Sequence, residues 1–169
     1  MLLSMNEPDA IDAFVGGWRT ARPDLDFGSM ALFARLNHFV RLGMKSLDAA
    51  LEAHSLSLAE FDVLSALRRS GEPFVLRPSQ LADALMVSRA GVTAKIDKLA
   101  DRGLVERQRD LDDRRSEPVV LTAAGKALID AAIVTHLGAG KTLFERLSKS
   151  ERRTLEAALR RISDPNPRS

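Results

Sequence analysis

Between Pro78 and Thr122 the chain carries two short stretches of helical periodicity separated by two residues, then two β-prone runs around a charged loop. Few folds accommodate those parts in that order. In P-S-Q-L-A-D-A-L-M-V-S-R-A-G-V-T-A-K-I-D-K-L-A-D-R-G-L-V, the residues Leu81, Leu85, Val92, Ile96 and Leu99 recur at three- and four-residue spacing. Ser88 stands at an N-cap position and Gly103 at the residue just past a helix end. With only Met86 and Val87 between them, the two helices are predicted to form a helix-turn-helix, whose second member, Ser88 to Arg102, enters a major groove.

Turning each residue by roughly 100° puts Val92, Ile96 and Leu99 on a buried side and Ala90, Gly91, Ala94, Asp97 and Lys98 opposite. Small residues there permit close approach to bases, and Ala can touch a thymine methyl. Gly91 costs about 1 kcal/mol against Ala within a helix, which close approach would justify. Ser88, Arg89, Thr93, Ala94 and Lys98 are the predicted DNA contacts on this helix. An ordinary amphipathic pair in a helical bundle is the alternative.

The next segment counts against the bundle. Gly103 to Gln108 and Pro118 to Thr122 read as strands, and Arg109 to Ser116 between them makes a long charged hairpin tip. Asp113 can orient Arg115 while Arg114 stays free, an arrangement suited to a narrow A·T-rich minor groove. The competing reading is a solvated loop whose charges cancel.

The runs S-R-A-G-V-T-A-K-I-D-K-L-A-D-R-G-L-V-E-R and D-L-D-D-R-R-S-E-P-V-V-L-T-A-A-G-K resemble the winged helix-turn-helix of the MarR family of bacterial transcription regulators. The resemblance extends over residues 29 to 162 and includes Leu58 to Leu64, similar to the helix that precedes the DNA lobe. It implies a mainly α fold with a small β hairpin. Residues 57–121 would form the lobe, residues 29–56 and 122–169 a helical dimerisation region, and residues 1–28 an N-terminal extension. Arg77 stands where the family commonly places a Ser or Thr cap, so the first helix of the motif is expected to start at Ser79.

Charge agrees with this reading through its distribution. The net charge is only +2, and Ser88 to Arg115 holds eight Lys or Arg against six Asp or Glu, so a DNA surface requires segregation of charge. No apolar run approaches the roughly 20 residues that span a bilayer, and the N-terminus lacks a basic segment followed by a hydrophobic one, which points to a cytoplasmic protein without a membrane partner. Zero cysteines exclude disulfides, thiolate metal sites and thiol-based sensing. His38, His54 and His136 are widely spaced, without metal-ligand spacing, paired catalytic carboxylates or a phosphate-binding glycine loop. No catalytic residue, metal or cofactor is expected, and the chain reads as a binding protein.

The flanks suggest how two copies meet. Ser29 to Ala53 carries Leu32, Phe33, Leu36, Phe39, Val40, Met44, Leu47 and Leu51, a wider apolar face than one small lobe covers. Thr122 caps a helix running through Leu147, and Ser148-Lys149-Ser150-Glu151 is a capping box opening a last helix with Leu155, Leu159 and Ile162. A two-fold homodimer would set two reading helices on successive major grooves of double-stranded DNA, so the expected operator is an inverted repeat with half-sites about 10 bp apart or a multiple of that.

Trp18, the only Trp, lies in a short helix expected from about Asp9 to Thr20. This extension resembles a branch of the MarR family that responds to urate and related anions, in which an added N-terminal helix supplies a Trp to a ligand pocket. The resemblance implies a ligand set of Trp18, Asp62, Lys95 and Arg107, with Lys95 standing where that branch carries Arg. Lys gives a point charge in place of a planar fork, an exchange that is not conservative and counts against urate itself; the ligand class the resemblance implies is a small aromatic anion, with urate and salicylate as the examples. Asp62, flanked by Phe61 and Val63, needs a partner if buried, and Lys95 or Arg107 could supply a plain structural salt bridge instead of a pocket. A protein-interaction adaptor and a regulator without a small-molecule ligand are the rival functions.

Overall fold

The computed structural model describes residues 9–108 and 117–164. Its elements are α1 (Ala10–Ala21), α2 (Gly28–Glu52), α3 (Leu58–Arg69), β1 (Val75–Leu76), α4 (Pro78–Leu85), α5 (Arg89–Asp101), β2 (Val105–Arg107), β3 (Val119–Leu121), α6 (Ala123–Leu143) and α7 (Lys149–Ile162). The chain forms two compact units, one ending at Lys45 and one beginning at Ser46.

Local chemistry starts most helices. Asp9 accepts from the backbone N–H of Ile11 and Asp12, while the Asp12 carboxylate accepts from the Asp9 N–H, so α1 opens on a reciprocal capping box. Ser57 with Glu60 and Ser148 with Glu151 build the same device at α3 and α7. Within the first unit Arg35 of α2 bonds Asp12 at 2.6 Å and Asp9 at 3.3 Å, fastening the start of α1 to α2. Trp18 stacks on Phe27 with ring centroids 6.0 Å apart.

The second unit holds one hydrophobic core. Leu64 and Leu67 of α3, Leu81 of α4, Val92, Ile96 and Leu99 of α5, Val105 and Val119 of the sheet, and Ile129 of α6 are buried together. The sheet has strand order β1-β3-β2, antiparallel throughout, with Val75 opposite Val120 and Val105 opposite Leu121. A hairpin alone was expected, and β1 makes it a three-stranded sheet. Two residues are too few to show alternation, so the strand exists through its partner, and the Leu121 N–H also donates to the Phe74 carbonyl.

Two boundaries differ from expectation. Helix α4 begins at Pro78, not Ser79, because proline suits the first helical position and the Gln80 side chain accepts from the Arg77 N–H at 2.8 Å. Helix α6 ends at Leu143, and the chain turns through Phe144 to Leu147 before Ser148 caps α7. Gly125 in α6 marks the tightest approach: a Cβ there would lie 2.0 Å from the Leu104 carbonyl oxygen. No helix among the described residues is long and apolar enough to cross a membrane.

Candidate nucleic-acid interface and ligand cavity

The turn between α4 and α5 sets the angle of α5, the helix expected to read DNA. Met86 takes a left-handed conformation, φ 53°, and its N–H closes α4 on the Ala82 and Asp83 carbonyls. Ser88 then caps α5, its hydroxyl accepting from the Gly91 N–H at 3.2 Å. The Ser88 hydroxyl is thus engaged in starting the helix. Val92, Ile96 and Leu99 are fully buried, and Ala90, Ala94, Asp97 and Lys98 are exposed as the helical wheel requires, as is Thr93; Gly91, expected on the same face, is half-buried because the Ser88 hydroxyl and the Lys95 ammonium lie against it. Arg89 opens α5, but its side chain, like Arg114 and Arg115 of the wing, lies outside the described residues.

Two ionic ties hold α5 in place. Arg107 of β2 donates to Asp97 at 2.6 Å, joining the wing strand to the solvent side of α5. Arg102 at the other end of α5 lies 3.6 Å from Glu60 of α3. Burial raises the Glu60 carboxyl, but the Ser57 N–H and hydroxyl and the Arg102 and Lys98 charges outweigh it and hold it below the ordinary carboxylate value. Asp97 and Arg102 carry no motif of their own, and Glu60 stands in the text only as the partner of the Ser57 cap, so sequence reasoning missed these ties.

The expected Asp62, Lys95 and Arg107 cluster does not form as a salt bridge. Lys95 Nζ donates to the Gly91 carbonyl of its own helix at 2.9 Å, satisfied one turn back, and Arg107 is engaged by Asp97. Trp18 belongs to the first unit, with Phe27 as its ring partner. Asp62 instead faces a cavity of about 430 Å³ between α3 and α6, lined also by Phe61, Ser65, Arg69, Ile133 and His136. Burial pushes the Asp62 carboxyl up, partly offset by the charges of His136 and Arg69. His136 stacks on Phe61 with centroids 4.5 Å apart. His54 Nε2 bonds the Thr135 hydroxyl at 2.8 Å. Among the described residues no group of His, Cys, Asp and Glu is arranged to hold a metal.

A sequence profile described as MarR family matches residues 54–116. The transcriptional regulator PecS of Dickeya dadantii is 34% identical over 152 residues, covering 90% of this chain and 92% of PecS. The chain belongs to the MarR family. Among solved MarR-family structures, a mutant of Escherichia coli MarR complexed with operator DNA superimposes with a TM-score of 0.71 at 26% identity, covering 82% of this chain and 98% of that one. Bordetella bronchiseptica BpsR, whose DNA binding is regulated by 6-hydroxynicotinic acid, gives a TM-score of 0.64 at 28% identity, covering 77% and 99%. This MarR-family chain is a DNA-binding transcriptional regulator and not an enzyme.

Proposed function

We propose that the protein is a homodimeric repressor of an inverted-repeat operator, released by a small aromatic anion. The observation that carries the reading is α5, which is anchored by three fully buried side chains and presents an exposed stripe of Ala90, Ala94 and Lys98 behind a capped N-terminus. A rigid helix with small residues in its first turns can approach base edges closely. Ser88, Arg89, Thr93, Ala94 and Lys98 would contact the major groove and its phosphates, and Arg114 and Arg115 the adjacent minor groove. The exposed apolar residues Leu32, Phe33 and Val40 of α2, with Leu159 and Ile162 of α7, support pairing with a second copy. Release by a ligand is supported by the Asp62 cavity and by the likeness to BpsR. Trp18, Asp62, Lys95 and Arg107 are the proposed response residues, the last acting through its hold on Asp97.

The test is fluorescence anisotropy of a labelled inverted-repeat library at two salt concentrations, with urate and salicylate added in parallel. Selective binding that weakens steeply with salt and is relieved by an anion is expected, since phosphate contacts release counterions. Salt-insensitive or absent binding would turn the reading to the adaptor. Selective binding that neither anion relieves would keep the DNA role and remove these ligands.

A further inference from the structure

Helices α2, α4 and α5 end on the same hydrogen-bond pattern, but the residue at its centre differs in kind. Ser55 after α2, Met86 after α4 and Gly103 after α5 all take a left-handed backbone, at φ 52°, 53° and 67°. In each turn that residue's N–H donates three residues back and the next N–H five residues back. Ser55 bonds Glu52 and Leu56 bonds Leu51, Met86 bonds Asp83 and Val87 bonds Ala82, Gly103 bonds Ala100 and Leu104 bonds Leu99. Glycine is the usual central residue, because a Cβ is strained at positive φ. Leu56 and Leu104, which follow the centre, are buried, whereas Val87 is 43% exposed.

Met86 is the anomaly of the three. Its side chain is 92% exposed, the highest value of any large apolar residue among those described, so it packs on almost nothing in the lobe. One exposed apolar side chain is ordinary by itself. Here it stands on a backbone that every residue with a Cβ strains to adopt, while the same turn at Gly103 is built without that strain. A side chain that strains its backbone and adds no packing contributes nothing to folding that glycine would lack, which places its use outside the lobe. Val87 differs, because it occupies the hydrophobic-staple position ahead of the Ser88 cap, with Val92 at the counterpart position of α5.

We propose that Met86 is a specificity-determining residue that reads a thymine by its methyl group at the edge of each operator half-site. The assignment rests on the reading of α5 as the major-groove helix. Met86 lies two residues ahead of the Ser88 cap, so its Cα stands within about 7 Å of the helix start that enters a groove about 12 Å wide. A thioether has no hydrogen bond of consequence to offer a phosphate or the polar edge of a base. The apolar group that a duplex presents in its major groove is the thymine C5-methyl. Three rotatable bonds and a polarisable sulfur let a methionine settle on such a group from a turn, where a stiff β-branched side chain could not adjust.

The full chain selects an operator from the inverted-repeat library, and each thymine of the half-site is then replaced in turn by deoxyuridine, which lacks only the methyl. One thymine is expected whose replacement weakens wild-type binding about fourfold per half-site, the effect of one buried methyl group. Met86→Gly should weaken the selected operator by the same factor and lose the deoxyuridine penalty at that position. Its salt slope should stay as in the wild type, because no phosphate contact is removed. It should also melt at or above the wild-type temperature, because glycine is unstrained at φ 53°. Unchanged operator affinity in Met86→Gly, a deoxyuridine penalty that survives in it, or a lower melting temperature would overturn the assignment, the last by placing the side chain inside the lobe. Failure of the wild type to select any operator would overturn the groove reading and the assignment with it, whereas a selected operator that Met86→Gly binds equally well would overturn the assignment alone.

Discussion

Helices α3 and α7 are of similar length, 12 and 14 residues, and both open on a Ser-to-Glu capping box. Yet α3 buries Phe61, Val63, Leu64, Ala66 and Leu67, whereas α7 buries no residue. The difference separates what this chain completes alone from what it leaves unfinished. The lobe around α3 supplies its own core from helices and sheet. Helix α7 has an apolar stripe through Leu155 and Leu159, bordering with Phe144 a groove of about 520 Å³, and we propose that a second copy covers it.

Substitutions that strike the lobe should therefore cost folding, and those in α7 should cost only pairing. The largest effect is expected from Gly125→Ala, because its Cβ would sit 2.0 Å from a backbone oxygen that belongs to the β2 approach. A loss of about 3 kcal/mol or more in urea unfolding is expected, and a loss under about 1 kcal/mol would mean that α6 can slide away from Leu104. Leu99→Ala, in a fully buried position, should cost about 2–4 kcal/mol in the same experiment and abolish operator binding at 37 °C. Ser88→Ala removes the α5 cap and should cost about 1 kcal/mol; an unchanged midpoint would show that water replaces the hydroxyl.

Asp62→Asn is expected to act in the opposite direction. A carboxyl whose folded value lies above its unfolded one favours the fold below the unfolded value of about 3.9, and loses that contribution as pH rises through the raised folded value. At pH 7 the ionised group is a burden, so the Asn variant should melt about 1–2 °C higher than wild type, and this gain should vanish near pH 3. A gain independent of pH would assign it to packing. Smallest of all, Leu159→Ser with Ile162→Ser should change amide-exchange protection of the lobe by no more than about 0.5 kcal/mol, while sedimentation moves toward the single-chain mass. Lost protection in the lobe would erase the distinction between the two helices.

The same contrast governs how far the chain was legible from its residues. Helix starts near Asp9 and at Ser88, Thr122 and Ser148 involve neighbours within three positions, so the cap and its partner are adjacent in the text. The exposed and buried sides of α5 followed from periodicity for the same reason. Strand β1 did not, because Val75 and Leu76 become a strand only beside Val120 and Val119, more than forty residues on. Partner choice was equally opaque at Arg107, Lys95 and Asp62. Each is a charged residue with several reachable partners: tertiary placement decided for Asp97 and the cavity beside His136, while Lys95 turned to the Gly91 carbonyl in its own helix. The end of α6 was overrun because Leu143 and Leu147 keep helical spacing across a turn that backbone hydrogen bonds of Phe144 to Leu147 actually make.

The bridge between Arg107 and Asp97 sets how this lobe could diversify. With α5 in the groove as proposed, Asp97 would otherwise present bare negative charge beside a polyanion, and Arg107 masks it at the cost of its own freedom. The two positions are consequently tied as a unit of change. A lineage that replaced Asp97 with a residue able to reach a new base would free Arg107 as well, altering the wing strand's charge in the same step. Operator preference and overall grip on the duplex would then shift together, so relatives with altered half-sites should differ at both positions or at neither.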